Sequence, residues 1–228
     1  MSEYLIHGET LTGIADAIRG KTGRTDPVAV SDMAAQIESI QAGGGDSASS
    51  VIDKSVTSIT SNAAEVGQYA FNGCERLETA SFPEATKIQG GSFVGCKALV
   101  SVSAPNVTEI TSEATDYLRL DIDGNYRKNY IGAFRNCANL TTVNFPLAVT
   151  IGDSAFSGCT SLSTVDFPAA VTIGASAFSG CTSLSTADFP LAETICQSAF
   201  SNCTGLTNLK FPRVKTVGAS DNGGGGIM

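Results

Sequence analysis

The sequence predicts a solenoid of about six coils, each of 22 residues, preceded by a small α-helical hairpin. Phenylalanine recurs at a fixed interval, a cysteine follows three residues later, and a Phe-Pro pair ends the strand segment of every unit but one. Phe156, Phe178 and Phe200 lie 22 residues apart, as do Phe71 and Phe93. Self-similarity at a fixed period of this length is the signature of a repeat architecture.

One unit reads SAFSGCTSLSTVDFPAAVTIG and explains why the units stack. Val165 and Phe167 point to one side of a short strand and the residues between them point to the other, because strand side chains alternate. Pro168 ends the strand, since it has no N–H to donate. The segment from Ala155 to Cys159 predicts a compact apolar turn with up to one turn of helix. A single unit cannot bury both apolar edges, whereas stacked units form internal Phe, Cys and Leu ladders.

The recurrent pattern A-F-x-x-C-x-x-L followed by F-P resembles the BspA-type leucine-rich repeats of bacterial surface proteins. The resemblance covers residues 66–218, and the unit with Ser92-Phe93 and Ala104-Pro105 departs from it. It implies a curved right-handed solenoid that serves adhesion and ligand binding at cell surfaces, and it assigns no catalytic residue. We therefore expect a leucine-rich-repeat (BspA-like) solenoid over 51–218, followed by a glycine-rich tail at 219–228.

The amino-acid composition and the net charge narrow the classes of molecule that the protein can bind. Hydrophobic residues make up 42% of the chain, which supports a packed core, and the formal net charge is -8. Nucleic acids and anionic membranes both attract basic surfaces, so we expect neither as a partner. The sequence has neither a recognisable secretory signal peptide nor an apolar run of the roughly 20 residues that a membrane span needs, and we expect no membrane insertion.

Six of the seven cysteines occupy one repeat position, which predicts buried, reduced thiols rather than disulfides. His7 is the only histidine, and no C-x-x-C pair is present, so structural zinc is not expected. The sequence also lacks a nucleophile–base arrangement and a phosphate-binding loop. We predict a non-enzymatic protein without a metal or cofactor.

Outward strand positions form two polar ladders. One ladder is Thr79, Ser101, Thr142, Thr164, Thr186, Asn208, and the other is Ser81, Ser103, Asn144, Asp166, Asp188, Lys210. This pattern fits a solvated sheet face or a shallow site for a glycan or other polar polymer. Asp166 and Asp188 would stack as like charges, which is unfavourable without a cation or ligand. No Lys or Arg lies between Asn136 and Leu209, so a basic partner is not expected nearby in the sequence.

Nineteen extra residues interrupt the period at 112–130. Alternating apolar residues, an Asp123-Gly124 turn and a returning segment predict a β-hairpin. Exposed aromatic and arginine side chains commonly anchor interfaces. The candidate contact residues here are Tyr117, Arg119, Tyr126, Arg127 and Tyr130. The alternative is that the hairpin folds back and covers neighbouring coils.

Residues 1–42 follow a helical period. Two amphipathic helices are predicted, joined near Pro27 and followed by a flexible linker at 43–50. So small a unit cannot build a stable core alone, which favours self-association or docking onto a larger assembly. A DNA-reading helix-turn-helix is rejected because the second helix has no basic residue. The predicted assembly residues are Leu11, Ile14, Ile18, Met33, Ile37 and Ile40.

The segment LTGIADAIRGKTGRTDPVAVSDMAAQIESI resembles an N-terminal module of structural proteins of tailed bacteriophages and prophages. The resemblance implies attachment to other virion structural proteins through residues 1–42. We therefore expect a phage virion protein at the virion surface, assembled in the host cytoplasm, whose repeats bind a host-surface glycan or protein, and which forms a homo-oligomer. The alternatives are a purely structural capsid or tail decoration or fibre, and a BspA-like adhesin on the bacterial extracellular surface.

Overall fold

The chain folds into a solenoid of stacked parallel strands, as a computed structural model that describes residues 56–120 and 126–219 shows. Each coil gives one strand to a first sheet and one to a second. The first-sheet strands are β1 Ser58–Thr60, β3 Thr79–Ser81, β5 Ser101–Ser103, β9 Thr142–Asn144, β11 Thr164–Asp166, β13 Thr186–Asp188 and β15 Asn208–Lys210. Those of the second sheet are β2 Glu65–Val66, β4 Lys87–Ile88, β6 Glu109–Ile110, β10 Thr150–Ile151, β12 Thr172–Ile173, β14 Thr194–Cys196 and β16 Thr216–Ala219.

Seven coils are therefore present in the described residues, one more than the Phe-x-x-Cys pattern predicts. The coils are numbered in chain order, so that coil 1 contains β1 and β2, coil 4 contains β9 and β10, coil 5 contains β11 and β12, and coil 7 contains β15 and β16. The additional coil is the first, whose strands at 58–66 pair with those of coil 2 without a preceding Phe-x-x-Cys turn. The sequence pattern missed it because the pattern counts turns, whereas a coil is defined by its strand pairing.

The predicted apolar turn between the sheets is confirmed, but it contains no helix in the described part of the chain. Cys159 N–H donates to the Phe156 carbonyl at 3.1 Å, and the same turn recurs in coil after coil. The position two residues after each turn phenylalanine has a positive φ, for example 77° at Gly158 and 62° at Asn136. Only glycine and a few residues such as asparagine adopt this conformation readily, which explains the Gly or Asn before each repeat cysteine.

Phenylalanine ladders form the core. The turn phenylalanines stack nearly parallel, with ring centroids 5.0 Å apart for Phe71 and Phe93 and 5.3 Å apart for Phe156 and Phe178. A second ladder from the Phe-Pro pairs packs against the first. Burying one such side chain stabilises the fold by roughly 1.5–3 kcal/mol, so the ladders account for much of its cohesion.

The helical hairpin predicted at 1–42, with its assembly residues, and the linker at 43–50 lie outside the described residues. So does the tail after Ala219, which is the last residue of β16. Within the described ranges, no helix is long and apolar enough to cross a membrane.

Candidate binding surfaces

The outward face of the first sheet carries the predicted polar ladders. The register pairs Thr79 with Ser101 and Ser101 with Thr142, and further along it pairs Thr164 with Thr186. The intervening residues point inward, since Val102 and Val165 are buried. The predicted alternation is therefore confirmed in β3, β5, β11 and β13, whereas Leu209 in the last strand, β15, is exposed.

The two ladders are not continuous, however, because the first sheet divides between β9 and β11. One part has the order β1-β3-β5-β9 and the other β11-β13-β15. At the end of most first-sheet strands a main-chain N–H donates to the next coil, as Ala104 does to Asn144 at 3.2 Å and Phe189 does to Lys210 at 3.1 Å. Among the described residues, no main-chain hydrogen bond joins β9 to β11. We call this division the seam.

Side-chain packing shows the same separation. Val143 is only partly buried, whereas the equivalent Val102 and Val165 are 1% and 3% exposed. The Phe145 and Phe167 ring centroids lie 6.4 Å apart, compared with 5.8 Å for Phe167 and Phe189. The second sheet stays paired at this level, where β10 and β12 keep their register. The coils therefore part on one side only.

The seam brings together exposed polar groups. The side chains on its two rims are Thr142, Asn144, Thr164 and Asp166, all exposed. Main-chain N–H and C=O groups that leave a strand ladder need another partner, either water or a ligand. Asn144 already donates to the Ser103 hydroxyl at 3.3 Å, which orients its amide along the face. These groups can both donate hydrogen bonds to a polyhydroxylated ligand and accept hydrogen bonds from it.

The two aspartates of the ladder differ in environment. Asp166 and Asp188 are directly paired in the register, as expected. No basic residue is near Asp188 in the sequence, as noted, but Lys210 of the next coil places its Nζ 3.6 Å from the carboxylate. Stacking brings together residues 22 positions apart in sequence. Asp166 has no ion pair within the described residues and lies on the seam.

The insertion forms the predicted antiparallel hairpin, with β7 at Ser112–Leu120 and β8 at Tyr126–Gly132. The predicted Asp123-Gly124 turn lies outside the described residues. The register places Arg119 opposite Arg127 and Leu120 opposite Tyr126, and a bulge between Thr115 and Leu118 contains Tyr117. Tyr130 is half-buried. Hence three of the five candidate residues, Arg119, Tyr126 and Arg127, lie beyond the bulge in the outer part of the hairpin, whereas Tyr130 pairs with Ala114 nearer its base.

The base of the hairpin is held tightly against the coils. A Cβ added to Gly90 would lie 2.2 Å from the Glu113 nitrogen, and one added to Gly132 would lie 2.0 Å from the Ser154 carbonyl oxygen. Burial, and then the neighbouring Glu113 carboxylate, raise the pKa of Tyr69 beside this junction. The close backbone approach fixes where the hairpin leaves the solenoid.

The repeat cysteines are reduced, as predicted, and all but Cys203 are buried. Burial raises the pKa of Cys137 and Cys159 well above the ordinary thiol value, and that of Cys181 to about 12. A protonated, enclosed thiol is a poor nucleophile and a poor metal ligand. The described residues contain no group of three or more His, Cys, Asp or Glu side chains that could hold a metal ion.

The seam is the feature that sequence reasoning missed. Coils 4 and 5 both obey the repeat pattern, including Phe145 and Phe167 at equivalent positions. Nothing in their residue types marks the loss of pairing between them. The partly exposed Val143 is the structural sign, and it depends on tertiary packing.

Comparison with known proteins gives one family match. The model for the BspA type leucine-rich repeat region matches residues 49–121 and 127–220 in six copies. No curated protein has detectable sequence similarity to the chain.

A solved structure with a TM-score above 0.5 shows the same fold. A T. pallidum leucine-rich-repeat protein is 23% identical with a TM-score of 0.58, covering 73% of this chain and 74% of that one. A Bacteroides ovatus leucine-rich-repeat protein is 21% identical with a TM-score of 0.46, and the match covers 68% of this chain. A leucine-rich cell-surface protein from Faecalibacterium prausnitzii is 22% identical with a TM-score of 0.29, over 73% of this chain. The matched parts span 43% of the B. ovatus protein and 61% of the F. prausnitzii protein.

Proposed function

Because the chain belongs to the BspA-type leucine-rich-repeat family, we propose that it is a non-enzymatic binding protein displayed on a surface. Its first-sheet face contacts the ligand, and the seam between β9 and β11 is the centre of that contact. The observation that carries this assignment is the loss of strand pairing in a sheet whose other neighbours all pair. Main-chain and side-chain polar groups are thereby offered together at one place.

A glycan fits this chemistry best. Sugar hydroxyls both donate and accept hydrogen bonds, and the seam supplies an amide at Asn144, a carboxylate at Asp166 and hydroxyls at Thr142 and Thr164. The exposed carboxylate also disfavours polyanions such as nucleic acid. The seam therefore suits a neutral or cationic part of a surface polysaccharide.

The hairpin supplies a second contact. Tyr117, Tyr126 and Tyr130 offer large amphipathic rings, and Arg119 and Arg127 occupy directly opposed positions on β7 and β8. Like charges directly opposite across a pair of strands destabilise it unless an anionic group lies between or near them. An acidic or aromatic group of a host-surface protein or glycan suits these residues.

Residues 1–42 are the attachment unit in this proposal. Their resemblance to phage and prophage modules favours display on a virion, with other virion structural proteins as partners and a host surface as target. The repeat family favours a second candidate, a BspA-like adhesin on a bacterial surface. Immunogold labelling of purified particles, compared with labelling of intact cells, separates the two.

Ligand binding is tested by titrating the full chain against a panel of bacterial envelope polysaccharides. Replacing Asn144 and Asp166 by alanine is expected to weaken binding at least tenfold, and D188A is the matched control because that carboxylate already pairs with Lys210. The triple replacement of Tyr117, Tyr126 and Tyr130 by alanine tests the hairpin. Unchanged binding in both variants would exclude these sites.

Attachment is tested by deleting residues 1–45. Loss of incorporation into particles, with the circular dichroism of the repeats unchanged, is expected for virion display. If particles lacking the whole protein lose stability while the full chain binds no host envelope fraction, the adhesive function is wrong. A purely structural decoration or fibre would then be the correct assignment.

A further inference from the structure

An apolar ridge runs along the corner between the two sheets in coils 4 to 6. Leu147, Val149 and Leu191 are 50%, 42% and 37% exposed, and Ala169 and Val171 fill the equivalent positions of coil 5. In coil 6 the row of Val149 and Val171 ends at Glu193, which pairs with Lys215 of coil 7. The alternate residues Ala148, Ala170 and Ala192 are fully buried, so the ridge side chains point outward. With coils about 4.8 Å apart, the ridge extends for about 10 Å.

The same corner is polar on both sides of the ridge. Coil 2 has Glu84 there and coil 3 has Asn106, whereas coil 7 has Arg213. Glu84 and Arg213 are exposed and have no ion pair within the described residues. An exposed apolar patch rimmed by polar residues is typical of a protein–protein contact.

We propose that this ridge binds the same ridge of a second copy of the chain, in an antiparallel arrangement with the two-fold axis between coils 4 and 5. Coil 4 of one copy then faces coil 5 of the other, so that the large Leu147 packs over the small Ala169 and Val149 packs against Val171. Both contacts occur twice, because a two-fold interface is self-complementary.

Charge complementarity selects this arrangement. With the axis between coils 4 and 5, coil 7 faces coil 2, and Arg213 of each copy meets Glu84 of the other. Placing the axis on coil 5 instead would set Arg213 against Asn106 and Leu147 against Leu191. The first arrangement pairs opposite charges at the rim and a large side chain with a small one at the centre, as specific interfaces do.

The experiment measures self-association of the full chain by sedimentation velocity. Wild type is expected to dimerise, and L147D is expected to weaken the dimer at least tenfold, while V100D, an equally exposed apolar position outside the ridge, leaves it unchanged. E84R alone and R213E alone are each expected to weaken it about tenfold through like-charge contact. R76E is the matched charge-reversal control on another side of the coils.

The decisive experiment mixes the E84R variant with the R213E variant. In that heterodimer both rim contacts join opposite charges, so its dissociation constant is expected to equal that of the wild-type dimer. The same recovery is expected for the E84R/R213E double variant on its own. This rescue is independent of any association through residues 1–42. A monomeric wild type, a dimer insensitive to L147D, or a mixture that does not recover would each overturn the proposal.

Discussion

The thiol of Cys159 donates a hydrogen bond to the main-chain carbonyl of Phe134 one coil earlier, with Sγ 3.2 Å from the oxygen. The same carbonyl accepts the N–H of Cys137 within its own turn. Equivalent bonds join Cys181 to Phe156 and Cys203 to Phe178. The repeat cysteine is therefore a hydrogen-bond donor that links successive coils, which its apolar surroundings in the sequence do not indicate.

This arrangement predicts alkaline destabilisation. Burial raises the pKa of Cys181 from 9.0 to about 12 in the folded chain. The folded state therefore favours the protonated thiol, so its contribution to stability is complete below pH 9 and is lost as the pH rises towards 12. The free energy of unfolding is expected to fall with pH in that window, by about 1.4 kcal/mol per pH unit for each such thiol.

Chemical denaturation between pH 8 and 11 measures this slope. C181A removes one titrating thiol and is expected to have a shallower pH dependence, although it is less stable at pH 7. C203A is the control, because the Cys203 thiol is only half-buried and the burial that raises its pKa is weaker. Its removal is expected to change the slope less than C181A does. Identical slopes for wild type and C181A would show that the thiol does not titrate with unfolding.

Truncation of the turn phenylalanines should depend on their place in the stack. Phe178 is fully buried between the rings of Phe156 and Phe200, with its ring centroid 5.3 Å from each of theirs. Phe200, in the last turn, is only partly buried. F178A is expected to cost about 3–5 kcal/mol and F200A clearly less. Urea unfolding followed by circular dichroism compares them, and equal losses would contradict stacking as the cause.

Gly180 isolates the backbone contribution of the turn. Its φ is 75°, and an added Cβ would meet only ordinary contacts at 3.8 Å, so G180A adds strain without a clash. The expected loss is about 1 kcal/mol, and G180N should cost less because Asn136 and Asn202 hold this conformation in other coils. Gly67, without a positive φ or a close neighbour, supplies the control G67A. Thermal unfolding that ranks G180A and G180N equally would refute this explanation.

The seam should appear in hydrogen exchange. The Phe145 and Thr164 amides lack the coil-to-coil hydrogen bonds that the Phe189 and Thr142 amides make at 3.1 and 3.2 Å. Peptides covering 143–145 and 163–165 are expected to exchange faster than those covering 101–104 and 187–189, because unpaired amides need no opening event. Uniform protection along the first sheet would mean that β9 and β11 are paired in solution.

The sequence by itself determined the repeat, the inward and outward positions of each strand, the buried cysteines and the hairpin. These features depend on local alternation and on a fixed period, and both are visible in residue order. It did not reveal the first coil, since that coil lacks the Phe-x-x-Cys turn and is defined by pairing with β3 and β4.

Only the tertiary structure decided which surfaces are available for binding. The ion pair of Lys210 with Asp188, the seam beside Val143 and the exposure of Leu147 all depend on how one coil lies on the next. Coils 4 and 5 have equivalent patterns yet separate on one side, because pairing depends on the distance between strands. That distance is a property of the stack and is not encoded in the repeat motif of a single coil.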